Sequence, residues 1–208
     1  MRKLLVATHN AGKVREYRQL LADLPLEVTY LDAEGIEFDV EETGESFAEN
    51  AVLKATAYAA TTGLWTWADD SGLEVDALDG APGIRSSRYA GPGASDEDRY
   101  RKLLRELDGV PWEERTTRFR CVVALATPEG EVRAAPGRCE GIIGYEPKGS
   151  HGFGYDPVFF MPEFGCTMAE LAPEVKNRVS HRGQAAQEAK RLLQEMLDAS
   201  GQDSLEVS

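Results

Sequence analysis

Two adjacent carboxylates, Asp69 and Asp70, stand in the segment Ala68-Asp69-Asp70-Ser71-Gly72, at the end of an apolar run that reads as a strand. Side by side they repel each other unless a proton or a cation resolves the conflict, and for oxygen ligands Mg²⁺ is the usual cation. Successive side chains of an extended strand point to opposite faces, so both carboxylates reach one ion only if the strand bends or stops between them. Glu41 and Glu42 lie in an acidic stretch, Asp39 to Glu45, and are candidates for a further ligand, although a charge run is more often a solvated face. A second group is Thr8-His9-Asn10-Ala11-Gly12-Lys13, placed where a short strand feeds a helix. Free backbone N–H groups and the helix dipole favour a phosphate there, and Lys13 adds a full positive charge. The segment is not a Walker A loop, which would need glycine at Ala7 and serine or threonine at Val14; the plainer alternative is an ordinary capped helix start. A third group, Gly152-Phe153-Gly154-Tyr155-Asp156-Pro157, combines glycines that let a ligand approach the backbone with aromatics able to stack on a base or simply to fill a core. Lys176, His181 and Arg182 flank the start of the last helix, where cations oppose the dipole and ask for an anionic partner.

The elements that must position these groups follow from periodicity. Leu4 to Ala7 is a short apolar strand, after which Val14, Tyr17, Leu21 and Leu24 recur at helical spacing. Glu27 to Leu31 alternates like a strand. Ser46, with Glu49 three residues on, carries a capping-box signature for a second helix with Phe47, Ala51, Ala55 and Tyr58 on one face, ending near Gly63. Leu64 to Ala68 reads as the strand that delivers Asp69 and Asp70, and Leu73 to Leu78 resumes a two-residue alternation. A third helix is expected from Ser95 to about Leu107, and Arg118 to Thr127 with Glu131 to Ile143 form a long hairpin across Pro128-Glu129-Gly130. The last helix is expected from about Ser180 to Asp198. Strands alternating with helices, then pairing as a hairpin, predict an α/β fold: a mixed, partly antiparallel sheet flanked by helices, with a cleft between two lobes. Residues 1–200 read as a single domain and 201–208 as a polar, frayed tail.

Composition narrows the function. The chain has 208 residues, and 23 Lys plus Arg against 36 Asp plus Glu leave a formal charge of −13. Non-specific nucleic-acid binding needs clustered cations to neutralise phosphates, so no nucleic-acid partner is expected. No apolar run approaches the roughly 18 residues of a membrane span, and a soluble, cytoplasmic protein is expected. Cys121, Cys139 and Cys166 are odd in number and widely spaced, which supports neither a disulfide framework nor a zinc site. His9, His151 and His181 form no HExxH pair.

In their order along residues 4 to 183 these segments resemble the inosine triphosphate pyrophosphatase family. The resemblance is carried by Thr8 to Lys13, Glu41-Glu42-Thr43-Gly44, Glu49-Asn50-Ala51 with Lys54, Ala68 to Leu73, Gly80-Ala81-Pro82-Gly83 with Ser86 to Gly91, Gly152 to Pro157, and Ser180-His181-Arg182-Gly183. It implies an elongated mixed α/β fold, a homodimer, and Mg²⁺-dependent hydrolysis of a non-standard purine nucleoside triphosphate to monophosphate and pyrophosphate. It also implies roles: Thr8, Asn10 and Lys13, with His9, Ala11 and Gly12 between them, on the phosphates, joined by Lys54 and Ser71. Asp70 would accept the proton of the attacking water, and Glu41, Asp69 and Asp70 would hold the metal. Phe153, Gly154, Tyr155, Asp156, Lys176, His181 and Arg182 would surround the base. Hypoxanthine and xanthine present an oxygen at purine position 6 where adenine presents an amino group, so donors from His181 or Arg182 would favour them over ATP; guanine shares that oxygen, and rejecting it needs another device. Two alternatives remain: the same mechanism on another modified base, against which the His181-Arg182 pair argues, and a non-catalytic nucleotide sensor, which would be expected to lack Asp69 or Asp70.

Overall fold

The computed structural model describes residues 2–206, with backbone only for 201–206. Its strands are β1 (Lys3–Val6), β2 (Glu27–Tyr30), β3 (Trp65–Val75), β4 (Thr116–Ala126), β5 (Val132–Ile143), β6 (Phe159–Met161) and β7 (Cys166–Thr167). Its helices are α1 (Ala11–Leu20), α2 (Phe47–Thr62), α3 (Asp96–Glu106), α4 (Pro173–Val179) and α5 (His181–Glu206). The mixed α/β architecture expected from the alternation of elements is present. One seven-stranded sheet runs β2-β1-β3-β4-β5-β6-β7. β1 is parallel to β2 and β3, and every later pairing is antiparallel, including the long β4–β5 hairpin.

Local signals explain the helix starts. Asn10 caps α1, its side chain accepting from Lys13 N. Ser95 and Asp98 close a full capping box on α3. At α2 only half of the expected box forms: Ser46 accepts from Glu49 N at 3.2 Å, while the Glu49 carboxylate turns to Glu45 N at 2.8 Å instead of Ser46 N. Gly63 ends α2 in the left-handed conformation. Ser180 separates α4 from α5 and accepts from Gly183 N at 3.1 Å, which starts the last helix where its periodicity begins. That helix passes Asp198 and continues to Glu206, because no proline stops it and Gly201 weakens a helix without forbidding it. The last residues of the expected tail, 207–208, lie outside the described residues. α4 is not evident from periodicity; Pro173 at its first turn is its one local signal.

β3 departs from expectation. It does not stop at Asp69 but runs 11 residues in full register with β4, Asp69 opposite Val123 and Asp70 opposite Val122. An equally long partner strand supplies ladder hydrogen bonds throughout, so Ser71 and Gly72 have no need to turn.

Each face of the sheet carries its own core. Leu4, Val6, Tyr17, Trp67, Cys121 and Val123 pack with Ala185, Ala189 and Leu193 under α1 and α5. Leu5, Ala68, Val122 and Ala124 pack on the opposite face against Phe47, Ala51, Ala55 and Tyr58 of α2. A third cluster around Leu73, Leu103, Phe119, Ile143 and Phe159 fills the far end. No helix among the described residues is long and apolar enough to cross a membrane.

α5 lies directly on β5 at Gly137, where an added Cβ would stand 2.0 Å from the His181 carbonyl oxygen and 2.5 Å from Ala185 N. Both obstacles are backbone and cannot rotate away. Gly137→Ala is expected to destabilise the protein by roughly 2–3 kcal/mol, high among overpacking penalties, read in thermal unfolding as a loss of about 5–10 °C. An unchanged Tm would show that α5 is not seated on β5 in this way.

Candidate active site

A cleft of about 540 Å³ opens where several separate segments of the chain meet. Thr8, His9, Asn10 and Lys13 enter it from the β1–α1 junction, Glu41 from the stretch before α2, and Lys54 from α2. Asp70 and Ser71 enter from the middle of β3, Phe153, Gly154, Tyr155 and Asp156 from the loop before β6, and His181 and Arg182 from the start of α5. Ala11, Gly12, Asp69 and Lys176 do not line it. Gly12 lies instead beneath the Phe153 ring, which a Cβ there would meet at 2.5 Å.

At one end the first turn of α1 presents its N-terminus. Thr8 Oγ1 accepts from Asn10 N at 3.2 Å, and the Asn10 side chain accepts from Lys13 N at 3.0 Å. The Lys13 ammonium is 2.9 Å from Asp69 Oδ2, and Arg182 Nε is 3.5 Å from the same oxygen. Burial works to raise the Asp69 carboxyl, but Lys13, then Arg182 and Lys54, hold it far below the usual carboxylate range, so it is a permanent anion. Because β3 stays extended, Asp69 faces α1 and α5 while Asp70 faces α2. The bend that would let both carboxylates close on one ion is absent, and Asp69 is engaged as the counter-ion of Lys13 and Arg182.

Asp70 has a different environment. It accepts from Asn50 Nδ2 at 3.1 Å and from Ser71 N at 2.9 Å, and Asn50 is itself oriented by Gly44 N, 2.8 Å from its Oδ1. Burial raises the Asp70 carboxyl; Lys54 pulls it back and Glu42 pushes it up again, leaving it above its ordinary value. A carboxylate so placed is a better proton acceptor than one in water. Lys54 spans the acidic end, with Nζ 2.5 Å from Glu42 Oε1, 2.7 Å from the Asp69 carbonyl oxygen and 3.9 Å from Asp70 Oδ1.

Among the described residues, no three His, Cys, Asp or Glu side chains are already gathered as a metal centre. The donor chemistry nonetheless suits a hard cation. Asp70, Glu41 and Glu42 all line the cleft, they offer oxygen only, and the Lys54 ammonium faces both Glu42 and Asp70.

At the other end Asp156, fully buried, accepts from Phe153 N at 2.8 Å and pairs with Lys176. Lys176 is 2.7 Å from Glu16 Oε1, and Glu16 Oε2 is 2.8 Å from Arg182, which donates to Ser71 Oγ at 2.8 Å. The Phe153 ring lies 5.0 Å from the Lys176 ammonium and 5.3 Å from the Arg182 guanidinium. His181 stacks on Phe119 at 4.5 Å. Burial, then Arg182 and Lys176, hold His181 well below its ordinary value, so it is neutral and offers one N–H donor and one acceptor; its Nδ1 is buried without a partner.

Several site residues escaped the sequence reading. Glu16 lies one helical turn after Lys13, which is a signal in retrospect. Asn50, present in the Glu49-Asn50-Ala51 motif, was not assigned to Asp70. Ser86, Ser87 and Arg88, which belong to the Ser86 to Gly91 segment of the resemblance but carried no assigned role, also line the cleft, as do Asp96 and Arg99, which no local pattern connects to it.

Residues 4–192 match the model of the Ham1 family. The chain is 52% identical over 189 residues to a dITP/XTP pyrophosphatase of Geobacillus kaustophilus, covering 89% of this chain and 91% of that one. It is 43% identical over 194 residues to a dITP/XTP pyrophosphatase of Bacillus subtilis, covering 93% and 98%. Among solved structures it is similar to a HAM1 protein from Coxiella burnetii, with a TM-score of 0.84, 42% identity and coverage of 94% and 100%. The Ham1 protein of Staphylococcus aureus matches with a TM-score of 0.81, 40% identity and coverage of 96% and 100%.

The environment of Asp70 has a measurable thermodynamic consequence. Its folded carboxyl binds a proton more tightly than the unfolded chain does, so folding stability is lost as pH rises from the ordinary carboxylate range through the raised value. Asp70→Asn is therefore expected to raise Tm in EDTA at pH 7–8, the gain over the parent shrinking as the pH is lowered towards 4. A variant less stable than the parent at every pH would show the carboxylate to be net stabilising.

Proposed function

This chain belongs to the Ham1 family, and we propose that its cleft carries out Mg²⁺-dependent hydrolysis of the non-standard purine nucleoside triphosphates dITP, ITP and XTP to monophosphate and pyrophosphate. It is a nucleoside triphosphate pyrophosphohydrolase. The observation that carries the proposal is Asp70: a buried carboxylate of raised proton affinity, held by Asn50, facing the same cleft as the α1 N-terminus, Lys13 and Lys54.

The α1 N-terminus, with Thr8 and Asn10, and the two ammonium groups receive the phosphates. Asp70 orients a water and accepts its proton as the water oxygen bonds to the α-phosphorus. The bond from that phosphorus to the bridging oxygen breaks, and its electron pair leaves on pyrophosphate. Lys13 and Lys54 take up charge spread over the phosphate oxygens, so positioning and electrostatics supply most of the rate. Asp70, Glu41 and Glu42 are the side chains that would hold Mg²⁺, whose contribution when bound is to neutralise phosphate charge.

The base is read at the far end. Phe153 offers a stacking face, and neutral His181 and the fixed Arg182 guanidinium offer donors to an oxygen at purine position 6. The amino group of adenine would leave those donors unpaired, a mismatch that can be worth about 10⁴-fold or more in discrimination. We likewise propose a homodimer acting in the cytoplasm, with residues 1–200 as one two-lobed domain and no nucleic-acid partner, the last supported by the net charge of −13.

Pyrophosphate release with Mg²⁺ across ITP, dITP, XTP, GTP, ATP, CTP and UTP tests the proposal. Strong release from the first three alone is expected, and Asp70→Asn should lose about 10²–10⁴-fold in turnover with Mg²⁺ titrated in parallel. Equal turnover of ATP and ITP would defeat oxygen recognition, and tight binding without turnover would make the chain a sensor.

A further inference from the structure

Phe153 stands between Gly152 and Gly154, both in the left-handed region at φ 77° and 64°. Glycines on either side leave the backbone free to swing, so the ring that faces the base is placed by what ties the loop down. Three hydrogen bonds that involve side chains do so, beside the loop's own bond from Asp156 N to the Phe153 carbonyl at 3.3 Å. Phe153 N donates to Asp156 Oδ2 within the loop at 2.8 Å, and the Tyr155 hydroxyl reaches the Ser86 carbonyl at 2.8 Å. Gly154 N donates to Asp96 Oδ2 at 2.7 Å, across 58 residues of sequence.

Asp96 is the first residue of α3, and its other oxygen pairs with Arg99. Arg99 is in turn anchored by donating to the Ser87 and Ala94 carbonyls at 2.8 and 2.9 Å. The carboxylate is thus aimed before the loop meets it. We propose that Asp96, oriented by Arg99, is a positioning residue that sets the base-facing wall of the cleft by holding the Gly154 amide and so the Phe153 ring. This rests on the proposed reading of the cleft as a purine nucleotide site. The competing account is that Asp96 only complements the α3 dipole, a place already served by the Ser95–Asp98 capping box. That account gives no reason for the base and phosphate halves of the cleft to respond differently.

The test compares binding of IMP, which engages both halves, with inorganic tripolyphosphate, which engages the phosphate half alone, by calorimetry on the full chain. Asp96→Ala is expected to weaken IMP roughly tenfold, the scale of one lost charge-assisted hydrogen bond, and to leave tripolyphosphate within about twofold. Asp96→Asn, whose carbonyl oxygen still accepts, should restore most of the IMP affinity. Should Asp96→Ala fail to fold, Asp96→Glu keeps the charge on the helix but displaces the acceptor, and the same selective loss is expected. IMP affinity unchanged in the variant, or both ligands weakened alike, overturns the proposal. A parent protein that binds neither ligand overturns the nucleotide reading and this inference with it.

Discussion

The site depends on one buried carboxylate. Asp69 is an ion at the centre of β3, and it holds Lys13 from the start of α1 and Arg182 from the start of α5, at opposite ends of the cleft. From Arg182 the charges continue through Glu16 and Lys176 to Asp156, which fixes the backbone of Phe153. Buried ion pairs stabilise little in net terms, because desolvation offsets most of the Coulomb attraction. Loss of a single partner, however, strands a charge and typically costs about 3–5 kcal/mol. The chain of ions is therefore better understood as geometry than as stability. It couples two ends of a cleft whose residues are more than a hundred positions apart, and so fixes the separation between those ends.

Strand alternation divides the labour. On one face of β3, Asp69 is ionised permanently and serves as structure. On the other, Asp70 keeps a raised proton affinity and faces the cleft. The pair is adjacent in sequence, yet the two carboxylates have opposite shifts because each face meets a different helix. α2 brings Asn50 and Lys54, four residues apart on one side of the helix, to the Asp70 side. α1 and α5 bring the cations that neutralise Asp69. Only an unbroken strand can separate the environments of neighbours in this way, so the continuity of β3 and the division of roles are one fact.

What the sequence determined by itself is what local physics encodes. The helix starts near Ser95 and Ser180, the Ser46 half of the α2 cap, the alternation of β4 and β5, and the helical spacing of α1, α2 and α5 were all legible, since each depends on neighbours within a few residues. Most of the candidate residues were legible too, not from any one segment, each of which has common structural uses, but from their order along residues 4 to 183. The tertiary structure decided the rest. β3 continues through Asp69 and Asp70 because β4, whose facing residues Val123 and Val122 lie far along the chain, offers it a full ladder. Lys176 lies behind the wall and not in it, because Asp156 and Glu16 claim its ammonium first. Asp96 meets Gly154 only because α3 and the glycine loop are packed at the same end of the sheet. Those outcomes turn on competition for partners between distant segments, and a competition is settled only when the whole chain is folded.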